Sequence, residues 1–317
     1  MGREDLRPVR DYEVGPLTTA KELLEALSES GGFQAVNLAA GARIMADMFR
    51  DPSITIFLSF TANLVATGLR GVIRQMIAEG LVDVIVTTAG SIDHDLIRCW
   101  SDYYHGSFLE DDARLRREGM ARVGNVIVPM GGFIELERRM QKALEDLYSE
   151  KKRWGCRELL HRLGEILGDE GSFLYWASRR GVPVYVPGIV DGAVGLQLTL
   201  FRERREDFEV DVLKDQKELS DIVYGSRKTG AIVLGGGIAK HHTIAWNLLR
   251  GGLDYAVYVT TAPEYDGSLS GARDREAVSW GKISERAERI TVVADATIAF
   301  PLMLSAALAW SGGRVRS

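Results

Sequence analysis

Residues 231–262, AIVLGGGIAKHHTIAWNLLRGGLDYAVYVTTA, read as strand, helix and strand. Ala231–Leu234 and Tyr255–Thr260 are apolar runs, and the segment His241–Arg250 between them has helical period. A strand that is apolar at successive positions must be covered on both faces. A parallel sheet with crossover helices provides that cover; a half-exposed antiparallel sheet does not. Gly235, Gly236 and Gly237 stand where the chain leaves the first strand, a place where backbone can approach a ligand closely.

The same alternation extends in both directions. Further strands are expected at Ile54–Ser59, Val82–Thr87, Asn125–Pro129, Pro183–Val186 and Ile290–Ala294. Helices are expected at Ala20–Leu27, Ala35–Phe49, Leu64–Ala78, Asp95–Tyr104, Phe133–Leu147 and Arg157–Leu167, the first opened by a Thr19/Glu22 capping box. The polar stretch Gly106–Gly124 reads as a surface excursion. No repeat or Pro-rich linker divides the chain. The predicted fold is therefore α/β: a doubly wound, mostly parallel Rossmann-like sheet with helices on both faces, in a single large domain. Residues 1–31 are expected to form an N-terminal arm and first helix, with 32–317 as the main domain.

The 317 residues carry 39 Lys plus Arg against 44 Asp plus Glu, a net charge of −5, which argues against nucleic acid as a partner. Two cysteines, Cys99 and Cys156, exclude a disulfide framework, and neither stands in a metal-binding motif. The N-terminal residues lack the apolar stretch of a signal peptide. The most hydrophobic segment, Ile290–Trp310, is broken by Asp295 and Pro301 before the ~18 clean apolar residues of a membrane span. A soluble cytoplasmic protein is expected.

Ligands of open parallel sheets bind beyond the carboxyl ends of the strands, so the residues just after each apolar run are the first candidates. These are Phe60–Asn63, Thr87–Asp95, Pro187–Gly192, Gly235–His242, Thr260–Ala262 with Glu264–Gly271, and Ala294–Ala296. A single Gly or Asp there is more often turn chemistry than a ligand contact. Six such strand ends together suit a flat, charged ligand, with Asp191, Asp266 and Asp295 able to accept hydrogen bonds from ribose hydroxyls or amines. Neither G-x-G-x-x-G nor a P-loop follows any strand, so an ordinary Rossmann dehydrogenase or ATPase finds no support.

A second focus is Asp274–Lys282, DREAVSWGK. A lysine is nucleophilic only when neutral, and an aromatic neighbour such as Trp280 favours that form of Lys282 by desolvation. Spacing alone equally allows a surface lysine near a core tryptophan. For His241 and His242 the plainer roles are capping and packing, and adjacent helical residues point about 100° apart, so at most one faces a site.

Taken together, GGGIAKHH at 235–242, LDYAVYVTTAPEYDGSLSGAR at 253–273 and EAVSWGKI at 276–283 closely resemble deoxyhypusine synthase, and the likeness runs from about Gly32 to Leu308. The resemblance implies a Rossmann-like fold and a homotetramer, a dimer of dimers with each active site at a dimer interface and an N-terminal arm able to cover a neighbour's site. It also implies NAD as cofactor, which takes hydride from spermidine. A lysine captures the resulting imine as 1,3-diaminopropane leaves. The four-carbon group then passes to one lysine of translation initiation factor 5A, and the retained NADH reduces the final imine to the aminobutyl lysine. By position, Lys282 matches the imine-forming lysine and His241 the histidine beside the amine. Asn63, Thr88, Ala89, Gly90, Asp191, Thr261, Ala262, Asp266, Asp295 and Ala296 match the NAD side. Asp93, His94, Leu196, Gly236, Gly267, Ser268, Leu269, Glu276 and Trp280 match the substrate side.

Departures from the pattern fall on the amine site. Leu196 and Leu269 stand where the family usually has aspartates, His94 where it usually has glutamate and Ala245 where asparagine is common. Losing two or three carboxylates from a buried cation site costs several kcal/mol. Three readings stay open: a deoxyhypusine synthase, a paralogous NAD-dependent enzyme acting on a less charged amine or a small-molecule acceptor, as homospermidine formation requires, and a non-catalytic subunit. Retention of Lys282 and His241 weighs against the last.

Overall fold

The computed structural model describes residues 7–315. Its strands are β1 Ile54–Phe60, β2 Val84–Val86, β3 Tyr104–His105, β4 Met120–Val123, β5 Val126–Pro129, β6 Arg153–Gly155, β7 Val184–Tyr185, β8 Glu209–Asp211, β9 Lys228–Leu234, β10 Leu253–Thr260 and β11 Ile283–Val293. Six of them form an all-parallel sheet in the order β11-β10-β9-β1-β2-β7, as expected of a doubly wound fold. From β1 the chain moves outward through β2 to β7, then returns to the other side of β1 as β9 and runs outward through β10 to β11. The reversal lies between β1 and β9, and the crevice it opens is beyond Phe60 and Leu234.

Both faces of the central strands are buried, which is why β1, β9 and β10 are mostly apolar, with Thr55 and Ser59 the polar residues in the second phase of β1. Ile56, Leu58 and Phe60 of β1, Ile232 and Leu234 of β9, and Val257 and Val259 of β10 pack in one core with the helices Phe33–Arg50 and Ala296–Ser311. The alternate residues Phe57, Ala231, Val233, Ala256 and Tyr258 face the helices Val212–Gly225 and Gly237–Asn247 through Leu219, Val223 and Ile244. The period of two survives as a choice of core rather than as a choice between core and water.

Several expected elements are corrected. Asn125–Pro129 is not in the parallel sheet: β5 forms a separate antiparallel sheet with β3 and β4. Val123 and Val126 flank a two-residue Gly124-Asn125 turn with Gly124 at φ 62°, a hairpin connection that a β-branched residue could not make without strain. The expected surface excursion before it also holds a short helix, Asp112–Arg117. The helix expected at Asp95–Tyr104 runs instead over Ala89–Ile97, starting directly after Thr88. The one expected at Leu64–Ala78 is broken into Ala62–Val65 and Leu69–Ala78. Helices at Phe173–Arg180, Ala193–Arg204, Val212–Gly225 and Ala296–Ser311 were not foreseen.

Thr19 caps its helix, Ala20–Ser30, with Glu22 closing the reciprocal box. Buried aspartates cap other helices from a distance. Asp95 accepts the Phe173 and Leu174 N–H groups and the Ser172 hydroxyl while paired with Arg70, and Asp215 accepts the Arg157 N–H. Residues 7–18 are in neither helix nor strand and are mostly exposed, while the first six residues of the expected arm lie outside the described residues. Among the described residues no helix is long and apolar enough to cross a membrane.

Candidate active site

The sheet carries the expected cofactor residues to its carboxyl edge. At the reversal point, a Cβ on Gly235 would stand 2.9 Å from Thr61 Oγ1, and Gly235 sits at φ 91°, so only glycine lets the two turns close on each other. Thr61 in turn donates to Asn63 Oδ1 at 2.6 Å. A Cβ on Gly236 would lie 2.5 Å from Ser270 Cα, and the Gly237 N–H donates to Ser270 Oγ at 3.1 Å. These contacts bring the turns after β1, β9 and β10 into one cradle. Ala262 N–H is held by Thr260 Oγ1 at 3.1 Å, and Thr261 beside it is exposed. Asp266 is exposed and accepts from Ser268 N–H at 2.7 Å across Gly267; the Ser268 side chain and then this backbone bond draw its pKa down.

On the other side of β1, Thr88 precedes the helix Ala89–Ile97, and a Cβ on Gly90 would touch Ala62 Cβ at 3.0 Å. Asp93, expected at the amine, has both carboxylate oxygens engaged by backbone: it accepts the N–H groups of Ala193 and Val194 at 2.7 and 2.8 Å. Its burial pushes the pKa up to about 6, against the pull of those two hydrogen bonds, and Asp191 adds repulsion. Gly192 is in contact with it; a Cβ there would stand 2.7 Å from Asp93 Oδ2. Asp93 thus fastens the Asp191–Gly192 turn to the Thr88–Gly90 turn. His94 Nδ1 lies 2.7 Å from the Tyr103 hydroxyl, and burial, reinforced by Arg98, pushes its pKa down to about 4. The ring is neutral at neutral pH.

Asn63 and Asp295 line a single cleft of about 780 Å³ together with Thr67, Arg98, Tyr104 and Phe108. That volume is within the range of small-molecule sites, roughly 300–1,000 Å³. One oxygen of Asp295 caps the helix Ala296–Ser311, accepting Thr297 N–H at 2.8 Å and Thr297 Oγ1–H at 2.9 Å. Ala296, 8% exposed, is packed as the first residue of that helix. Tyr104, His105 and Phe108 come from the antiparallel excursion, which forms one wall of the cleft. Reading Asn125–Pro129 as a core strand concealed this wall. The Gly124-Asn125 pair between Val123 and the β-branched run Val126–Val128 was the available signal.

Lys282 lies elsewhere. It precedes β11, whose first residue pairs with Leu253, the first of β10, whereas Val293 pairs with Thr260. The lysine therefore starts from the amino edge, and seven steps of β10, about 23 Å at ~3.3 Å per residue, separate the two ends. Its Nζ sits 5.1 Å from the Trp280 ring centroid. Partial burial and then the charge of Lys282 hold the His241 pKa below the ordinary histidine value, which favours a ring ready to accept a proton. His242, the next residue on the helix, stacks edge-on against Trp246. Trp280 is 65% exposed and Leu196 54% exposed, and Glu276 is exposed too, so the expected substrate tunnel is not enclosed by one subunit. Ile238, Leu248 and Leu249 are also exposed, with Leu248 Cδ1 3.1 Å from where a Gly281 Cβ would be. The side chain that sequence reading overlooked is Lys240. Positions 240, 243, 244 and 247 form the buried stripe of the Gly237–Asn247 helix, and a lysine in that stripe was the signal.

A family profile described as deoxyhypusine synthase matches residues 22–307. A "Probable deoxyhypusine synthase" of Thermoplasma acidophilum is 47% identical over 308 residues, covering 96% of this chain and 99% of that protein. One so named from Thermoplasma volcanium is 46% identical over the same extent. A crystal structure from Entamoeba histolytica, provisionally titled a deoxyhypusine synthase, superposes with a TM-score of 0.70 at 23% identity, covering 97% of this chain and 99% of that one; it bears on the fold alone. On the extent of these matches, the chain belongs to the deoxyhypusine synthase family, a family of transferases.

Proposed function

We propose that the protein is an NAD-dependent aminobutyl transferase of hypusine biosynthesis, moving the aminobutyl group of spermidine to a lysine of translation initiation factor 5A in the cytoplasm. The observation that carries the reading is the placement of Lys282, stacked by Trp280 and electrostatically coupled to an unprotonated His241, in a chain of this family. His241 can accept a proton as Lys282 Nζ turns nucleophilic. Lys282 then adds to the imine carbon of the oxidised amine and 1,3-diaminopropane leaves. The carboxyl edge fits NAD: Asn63, Thr88 to Gly90, Asp191, Thr261, Ala262, Asp266, Asp295 and Ala296 would hold it, the glycines letting the turns close into one cradle and Asp295 supplying a carboxylate at the cleft. Bound NAD supplies the hydride acceptor for the amine.

The separation between Lys282 and Asp295 favours sites shared by two copies, as in a tetramer built of dimers. A lysine side chain spans about 6 Å, far less than the ~23 Å between the strand ends. An imine also needs exclusion of water, which the exposed Trp280 surface lacks in a lone subunit. A second reading, a less charged amine or small acceptor, is favoured by one observation: His94 is neutral and hydrogen-bonded to Tyr103 where the family uses a carboxylate. Incubating the protein with NAD and a panel of amines, with and without the factor, and following NADH and covalent mass gain tests both. Spermidine- and factor-dependent mass gain on the factor supports the first reading, and NADH only with other amines supports the second.

A further inference from the structure

Lys240 is 1% exposed, and none of the chemistry above uses it. Its Nζ donates to the carbonyl oxygens of Leu269 and Ala272 at 2.8 and 2.5 Å and sits 4.5 Å from the Tyr258 ring centroid. Two carbonyls and a π face engage the three N–H bonds of an ammonium. Burial draws its pKa down to about 8; Glu276 opposes that shift, Arg273 adds to it and Asp274 opposes it. The two carbonyls belong to residues 261–273, a stretch with neither helix nor strand. The Gly237–Ser270 hydrogen bond also ties this stretch to the helix. The next residue on the helix is His241, pointing outward.

A buried charge is a poor device for stability alone, since an apolar side chain of similar volume often serves as well. What an apolar side chain cannot do is satisfy two carbonyls of an irregular segment. We propose that Lys240 is a positioning residue, a clamp that fixes the Asp266–Leu269 segment against the helix bearing His241, so that an amine held by that segment meets the histidine in one register. Its part in turnover rests on the amine-transfer reading above; the clamp itself does not.

Hydrogen exchange on the full-length protein without ligands, compared with Lys240→Met and Lys240→Gln, tests the clamp. Amides of residues 264–272 should exchange roughly tenfold faster or more in the Met variant, and less so in the Gln variant, which keeps two donors, while β9 and β10 stay protected. With NAD present, the KM for the amine should rise roughly tenfold with kcat changed less than about threefold, a split that general destabilisation does not produce. Unchanged exchange of 264–272 in a folded Met variant overturns the clamp. Faster exchange with unchanged KM and kcat overturns the positioning role. If the Met variant does not fold, the Gln variant carries the same comparison. If the unsubstituted protein turns over no amine, the amine-transfer reading fails, and the exchange result alone decides whether Lys240 is a clamp.

Discussion

The proposed NAD site gives Asp295 a second role beside its helix cap, and substitution can separate the two. One carboxylate oxygen caps the Ala296–Ser311 helix through Thr297, and the carboxylate stands in the cleft shared with Asn63. Asp295→Ala removes both. Losing the cap should cost about 0.5–2 kcal/mol of stability. Losing a charged hydrogen bond to a ribose hydroxyl should weaken NAD by about 1–3 kcal/mol, roughly 5- to 150-fold. Asp295→Asn keeps a side-chain oxygen for Thr297, so stability should change by only a few tenths of a kcal/mol. NAD affinity should still fall about tenfold, the difference between a charged and a neutral acceptor. Calorimetric titration with NAD and thermal unfolding of the three proteins give both quantities. Unchanged NAD affinity in Asp295→Asn would remove the carboxylate from the site. If Asp295→Ala alone weakens binding, the helix end and not the charge is what NAD requires.

The paired change Leu196→Asp with Leu269→Asp should raise spermidine-dependent NADH formation, because it returns carboxylates to an amine site that now offers apolar surface. Efficient spermidine oxidation by the unsubstituted protein, with no gain from the aspartates, contradicts this. His94 and His242 both have pKa values pushed down to about 4, by burial and then by the charge of Arg98 and His241 respectively. Such groups stabilise the fold fully above the unfolded histidine value near 6.5, and the contribution is lost as pH falls through 4. Urea unfolding should therefore show stability dropping from pH 6.5 to 4 by on the order of 5 kcal/mol from these two residues, and His94→Gln with His242→Gln should flatten that slope. Dilution to monomer should abolish turnover, as followed by light scattering alongside NADH formation; a fully active monomer would refute shared sites.

The parallel sheet was legible because both phases of its central strands are mostly apolar: Ile56, Leu58 and Phe60 on one face of β1, with Phe57 on the other, leave no ambiguity about cover. Elements held by long-range contacts were less legible. Phe173–Arg180 has local caps in Ser172, whose hydroxyl accepts Tyr175 N–H, and in the left-handed Gly181, but the helix Ala193–Arg204 begins where the side chain of Asp93, a hundred residues earlier, accepts its first N–H groups. No local signal announces a cap supplied from elsewhere in the chain. At the site, the glycine turns and the aspartates after strands were readable as a cradle. That Asp93 is committed to backbone, that Lys282 starts from the opposite edge of the sheet, and that Trp280 is solvent-facing follow from strand register and burial, which spacing does not encode.

The central claim is that Lys282 forms a covalent imine with an amine-derived group after NAD-dependent oxidation. Borohydride reduction of the protein incubated with NAD and spermidine, followed by peptide mass mapping, tests it directly. The account predicts a stable aminobutyl adduct on Lys282 that requires NAD and is absent from Lys282→Ala. An adduct on another residue, or transfer of the aminobutyl group to the factor undiminished in Lys282→Ala, would contradict it.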